Sequence, residues 1–119
     1  MNVNKLIIDT LSPIGYPVAY IKYTPFSGET PSNKYITFNF ADDRGINFAD
    51  DVPQSGLISV QIHFFAPLNF NHIAIKKDIR VRLFNAGFTY PEIITLTEND
   101  NGIIHLVYEC EIEVESEVI

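Results

Sequence analysis

The residues best suited to chemistry are four aspartates in the polar segment 42–56, namely Asp42, Asp43, Asp50 and Asp51. Paired carboxylates can hold Mg²⁺ and so support phosphoryl transfer or hydrolysis. Their spacing does not follow the calcium-loop pattern D-x-[DN]-x-[DN]-G, and aspartate is common in turns. Two interpretations stay open, a metal-dependent hydrolase or nuclease and a solvated loop. The spacing favours the solvated loop, so we expect no metal site.

Three histidines and one cysteine are the other candidates for catalysis or metal binding. His63, His72 and His105 fall on different predicted elements and lack the spacing H-x-x-x-H, a pattern more often structural than functional. Cys110 lies in an alternating apolar run and is expected to be a buried core thiol. A single cysteine excludes a disulfide framework and any zinc site built on several thiolates. With no phosphate-binding loop or nucleophile elbow either, we predict a protein that is not an enzyme and uses no cofactor.

Charge is distributed unevenly along the chain. All eight lysines and arginines lie between Lys5 and Arg82, whereas the sequence from Leu83 onward has eight acidic residues and no basic one. The net charge is −7, which disfavours a general nucleic-acid coat and docking on an anionic membrane. No secretory signal or membrane span is apparent, and the lone cysteine fits a reducing compartment such as a cytoplasm.

Three charged clusters are candidate interface or channel residues. They comprise a run of glutamates at period two, a basic group on a predicted helix and a pair of loop aspartates: Glu109, Glu111, Glu113 and Glu115; Lys76, Lys77, Arg80 and Arg82; Asp50 and Asp51. Alternate residues of a strand share one face, so the glutamates should form a single row. Such a row either protects a sheet from aggregation or faces a basic or a negative object. The basic group is either a solvated face, a nucleic-acid site or a contact for an acidic partner surface.

The elements that must position these clusters follow from hydrophobic periodicity. A short helix is predicted after Asn2 and a second one over 71–86, with Ile75, Ile79, Leu83 and Ala86 on one stripe. Strands are predicted over 17–23, 34–41, 57–65, 88–97 and 103–115, with long loops over 24–33 and 42–56. Grouped strands with few helices indicate an α+β fold. We therefore expect one domain, 1–119, with a mostly antiparallel sheet of about five strands and two helices packed on one face.

The order of these features resembles the tail-completion and tail-terminator proteins of long-tailed bacteriophages and prophages. The resemblance is carried by IGYPVAYIKY after the opening helix, KYITFNF, NFADD before SVQIHFF, a helix ending in FNAGF, and the closing NGIIHLVYECEIE. In order, these stretches cover most of the chain, from Val3 to about Val114.

The resemblance implies a structural virion protein without catalytic residues. It would form a ring, commonly of six subunits, at the head-proximal end of the tail, after assembly in the host cytoplasm. Its partners would be copies of itself, the tail tube protein and the head connector or stopper protein, with DNA only as passing cargo. In a ring the glutamate row could face the outer rim, the central channel or the basic helix of a neighbour. The alternatives are another neck or minor capsid protein, the metal-dependent hydrolase above, and a small-ligand binding module.

Overall fold

The computed structural model describes residues 2–115. Along the chain the elements are α1 (Val3–Leu11), a 3₁₀ turn (Ser12–Ile14), β1 (Val18–Tyr20), β2 (Tyr35–Ala49), β3 (Val52–Pro67), α2 (Ile73–Asn85), β4 (Glu92–Glu98) and β5 (Ile103–Glu115). The strands form one sheet in the order β1-β2-β3-β5-β4. Three of the four strand pairs are antiparallel. The predicted α+β fold with a mostly antiparallel five-stranded sheet is confirmed.

Both helices begin where an asparagine side chain satisfies a free backbone N–H. The Asn2 side chain accepts from the backbone N–H of Lys5 at 3.0 Å, and Asn71 Oδ1 accepts from that of Ile73 at 3.2 Å. Asn2 is the N-cap residue of α1, whereas the N-cap residue of α2 is His72, whose side chain makes no capping bond, and Asn71 acts from one residue earlier. After α2, Gly87 takes the positive φ of 110° that a helix C-terminus commonly requires.

The core lies between the two helices and one face of the sheet. Helix α1 contributes Val3, Ile7 and Leu11, and α2 contributes Ile79 and Leu83, all buried. The sheet contributes the even-numbered residues of β3 and β5, which include Ile58, Val60, Ile62, Phe64, Leu106, Tyr108, Cys110, Ile112 and Val114. The period-two alternation in these strands therefore correctly predicted which of their residues are buried. No helix within residues 2–115 is long and apolar enough to cross a membrane.

The first strand is shorter than predicted and runs parallel to its neighbour. Instead of 17–23 it covers only Val18–Tyr20, which pairs in parallel with Ile36–Phe38. The chain leaves the sheet at Ile21, whose φ is +64°. The backbone N–H of Lys22 donates to the Tyr20 carbonyl at 2.7 Å, which closes a three-residue turn around Ile21.

The segment 42–56, predicted as a loop, is a β-hairpin, so that prediction is wrong. Strands β2 and β3 stay paired from Asp42–Ser59 to Ala49–Val52, and the turn between them is Asp50-Asp51. Both aspartates have positive φ, 51° and 62°, as a two-residue hairpin turn requires. The polar composition that suggested a loop belongs to an exposed hairpin. We call residues 42–57 the arm.

Candidate interaction surfaces on the open sheet face

No helix or strand among residues 2–115 packs on the sheet face opposite the helices, although the segment after β1 lies against one end of it, with Tyr23 on Tyr35, and Thr37 and Val107 on this face are buried. We call this face the open face. The part of the open face nearer the arm carries four glutamates of β5. We call them the glutamate row: Glu109, Glu111, Glu113 and Glu115. Their cross-strand partners on β3 are Gln61, Ser59, Leu57 and Ser55. The prediction that the four carboxylates share one face is confirmed.

The glutamate row has neutral partners within the chain. Ser59 Oγ donates to Glu111 Oε2 at 3.1 Å, and Asn47 Nδ2 donates to Glu113 Oε1 at 3.0 Å. Glu109 lies directly opposite Glu92 of β4, which adds a like charge. The ion pairs within residues 2–115 involve none of these carboxylates. The row is thus a wet surface of uncompensated negative charge, beside a shallow groove of about 430 Å³.

The basic group lies on α2, which packs on the sheet face opposite the glutamate row, and most members of the group have partners within their own chain. Arg82 Nε pairs with Asp78 Oδ1 at 3.0 Å. Arg80 Nε donates to the Pro91 carbonyl at 3.1 Å, and its guanidinium lies 4.8 Å from the centre of the Tyr90 ring. These internal partners reduce the number of cationic groups on α2 that are free to pair with an acidic surface on a neighbour.

Lys76 and Lys77 complete that group. Lys76 Nζ donates to Thr95 Oγ1 at 3.3 Å, so this lysine also has a partner on the nearest edge strand. Lys77 is exposed and takes part in no side-chain hydrogen bond among the described residues.

The four aspartates do not converge. Asp50 and Asp51 form the tip of the arm and are exposed, whereas Asp42 and Asp43 lie at its base. Asp42 and Asp50 are eight positions apart along extended chain, a span of roughly 25 Å. Within residues 2–115 no three His, Cys, Asp or Glu side chains are grouped so that they could hold a metal ion.

Two of the three histidines meet on the open face, which sequence reasoning did not predict. His63 Nδ1 lies 2.8 Å from His105 Nε2, and His63 Nε2 lies 2.8 Å from Asn39 Oδ1. Asn39 Nδ2 in turn donates to Gln61 Oε1 at 3.2 Å. Both histidines occupy odd positions of neighbouring strands, so the sequence pattern predicts that they share a face. The strand register that makes them diagonal neighbours could not be predicted from the pattern.

Next to these hydrogen-bonded side chains, a row of aromatic rings crosses the sheet. The rings of Tyr23, Tyr35, Phe65 and His105 follow one another with centroid distances of 5.0, 4.9 and 4.2 Å. A shallow cavity of about 350 Å³ lies over the pair, lined by Ile21, Thr37, Asn39, His63, Phe65 and His105. We call it the histidine cavity.

Burial sets the protonation of this pair. Burial lowers the pKa of His63, and the neighbouring His105 lowers it further. Burial also lowers the pKa of His105, against the opposing effect of Glu98. Both imidazoles are therefore neutral around neutral pH.

Cys110 and Tyr108 belong to the core and not to a site. Burial raises the pKa of the Cys110 thiol to about 12, and Glu111 adds to the shift. A thiol with this pKa is not a nucleophile near pH 7. Tyr108 is fully buried, and its hydroxyl donates to the Lys76 carbonyl at 3.0 Å, which ties α2 to the sheet.

Comparison with known proteins gives no family: no family model matches the chain, and no curated protein matches it significantly.

Proposed function

We propose that this chain is a structural subunit of phage morphogenesis, a tail terminator that joins tail to head. It would act as a ring, capping the tail tube and presenting a surface to the head connector, without catalytic residues or cofactors. The order of sequence features described above suggests this function, and the arm carries the structural argument for it.

The arm projects beyond the buried core and exposes apolar side chains. The core ends at Ile58 on β3 and at Val114 on β5, which pairs with Gly56 at the base of the arm, and the molecule measures 54 × 31 × 25 Å along its principal axes. Near the tip, Phe48 is 65% exposed and Val52 is 56% exposed. A paired hairpin with apolar side chains near its end is suited to pack against a neighbouring subunit, because such a contact removes those groups from water.

The glutamate row fits a surface that stays in water. Burying four carboxylates without cations is costly, and three of the four basic residues on α2 have partners in their own chain. Among the three positions considered for the row, a channel wall or an outer rim is therefore favoured over an interface with α2. On a channel wall, repulsion from phosphates would keep passing DNA from binding.

Localisation in virions tests this function. We expect antibody labelling or a cryo-electron microscopy map to place the chain at the junction of head and tail, with a ring of copies around the tail axis. Its presence only in the capsid shell would support the alternative of a minor capsid protein.

The arm can be tested separately. Phe48→Ser should impair ring assembly on tail tubes, because it removes the most exposed apolar group near the tip. Ile73→Ser is the matched control, since Ile73 is 74% exposed at the start of α2 and far from the arm in sequence. Equal assembly by both variants and the unmodified chain would show that the arm does not contribute to ring assembly.

A further inference from the structure

We propose that the arm of one subunit docks on an apolar and basic patch on α2 of a second copy of this chain. The inference deepens the proposed function by naming where the arm packs, and it rests on that function in taking the neighbour to be another copy. We call this surface the outer patch, and it comprises one stripe of α2 with the tyrosine that packs on it: Lys77, Arg80, Val81, Phe84 and Tyr90.

The outer patch lies on the face of α2 that points away from the core. Positions 77, 80, 81 and 84 follow the spacing i, i+3, i+4, i+7 and so share one face of the helix. The buried residues Ile79 and Leu83 lie on the opposite face. A surface helix ordinarily presents polar side chains to water on its outer face. Val81 and Phe84 are instead 39% and 52% exposed there, so this face keeps apolar surface in contact with water.

Tyr90 extends the apolar part of the outer patch beyond the helix. Its ring packs edge-on against Phe84 with a centroid distance of 5.5 Å and is itself 59% exposed. The Arg80 guanidinium lies 4.8 Å from the centre of the same ring, and Arg80 Nε donates to the Pro91 carbonyl at 3.1 Å. These contacts hold three side chains in one arrangement within the single chain, which reduces the entropy lost on binding.

Two positive charges border this apolar surface. The contacts of Arg80 are with a ring and a carbonyl group, so they do not neutralise its charge. Lys77 is exposed, and neither residue belongs to an ion pair within residues 2–115. The carboxylate of α2, on Asp78, pairs with Arg82. The outer patch therefore fits a partner surface that combines apolar side chains with carboxylates.

The tip of the arm has that combination. Phe48 and Val52 are mainly exposed, and the turn between their strands is Asp50-Asp51. The ion pairs of the described residues involve neither aspartate. The glutamate row is a poorer match, because three of its four cross-strand partners on β3 are polar. Since the arm projects beyond the core, its tip is able to reach α2 of a neighbour.

The arm and the outer patch are different surfaces of the chain, so the contact is head-to-tail. Each subunit offers its arm to one neighbour and its outer patch to the other, an arrangement that closes into a ring when the rotation permits. A hairpin tip on one helix face buries a small area, so a single contact is weak. We therefore expect transient association of the free chain, which a covalent cross-link can trap.

Site-directed cross-linking of the purified chain tests the contact. One chain carries Ala49→Cys beside the turn of the arm, and a second carries Asn85→Cys beside Phe84; both positions are exposed. The native Cys110 is buried and does not compete. A short bismaleimide should join arm to helix when the two chains are mixed, but not in either chain alone. Ile73→Cys in place of Asn85→Cys is the matched control, since it is exposed about 18 Å away along α2 and should give little product.

Substitutions on both sides show whether the proposed residues meet. Phe48→Ser on the arm and Phe84→Ser on the outer patch should each lower the cross-linked fraction about tenfold. The two together should lower it no further, because both remove the same contact. Changing Asp50 and Asp51 to Asn keeps residues that tolerate positive φ and removes both charges, which should lower the fraction about threefold.

Three results would each overturn the proposal: no arm-to-helix product, equal product with Ile73→Cys, or additive losses from Phe48→Ser and Phe84→Ser. More product from Ale49→Cys chains alone than from the mixture would also overturn it, since the arms would then bind one another. The proposed function fails separately. A cross-linked arm and helix in a chain that is absent from the head–tail junction would contradict the tail terminator and leave this contact standing, whereas a chain found at the junction that gives no cross-link would do the reverse.

Discussion

At the scale of single residues, Ile21 is held in a conformation that its own side chain opposes. A left-handed backbone conformation costs an L-residue roughly 1–2 kcal/mol, and Ile21 buries little surface in return. Ile21→Gly is therefore expected to raise the free energy of unfolding by about 1 kcal/mol in urea titrations. Ile21→Ala is the control, since it shortens the side chain but keeps the Cβ. Glycine no more stabilising than alanine would mean that the turn is not strained.

The histidine pair makes stability depend on pH. Both pKa values are lowered in the folded protein, so the unfolded chain binds more protons in the range below about 6.5. Stability should be complete above this pH and should fall as the pH drops toward the lowered folded values. Urea midpoints measured across this range should show the loss.

Replacing both His63 and His105 by Phe should flatten this profile, whereas His72→Phe should leave it unchanged. A profile of the same shape in the double variant would show that other groups cause the dependence.

The core thiol gives a second test at this scale. Because Cys110 is buried and its pKa is raised to about 12, we expect a maleimide or iodoacetamide to modify it only when the chain unfolds. Mass spectrometry of protein treated with and without urea measures the fraction modified. Complete labelling of the folded protein within seconds would contradict the buried position.

At the scale of elements, the arm depends on a close approach between its strands. A Cβ added at Gly45 would lie 2.6 Å from the Pro53 Cβ, so Gly45→Ala must push the strands apart. Overpacking of this kind costs about 1 to 3 kcal/mol. Hydrogen exchange should become faster over residues 42–57 and stay slow in β5 over 103–109, which serves as the internal control. Unchanged exchange in the arm would show that the strands separate at no cost.

The arm is one of the parts of the fold that the amino-acid pattern does not predict. Alternation in 57–65 and 103–115 is strong enough to assign the buried face and the glutamate row from the amino-acid pattern alone. Segment 42–56 lacks a buried face, so its aspartates, its glycines and Pro53 predict a loop although the chain forms a hairpin. The histidine pair depends on the register between β3 and β5, and register comes from long-range packing that a single sequence does not display.

At the scale of the whole molecule, the glutamate row distinguishes between the possible uses of the open face. Changing Glu109, Glu111, Glu113 and Glu115 together to glutamine keeps the shape and removes the charge. If the row lines a channel, rings should form normally and DNA ejection should slow, measured by fluorescence of released DNA. If the row instead pairs with α2 of a neighbour, ring formation should weaken, and assembly of the unmodified chain should be sensitive to salt. No change in either measurement would make the row a solubility device alone.

In the proposed function this chain terminates the tail and joins it to the head. Electron microscopy of phage particles produced with and without this gene tests the proposed function most directly. We predict tails of abnormal length, or tails and filled heads that are not joined, with normal particles restored when the gene is supplied in trans. Normal, joined and infectious particles in the absence of the gene would contradict the claim.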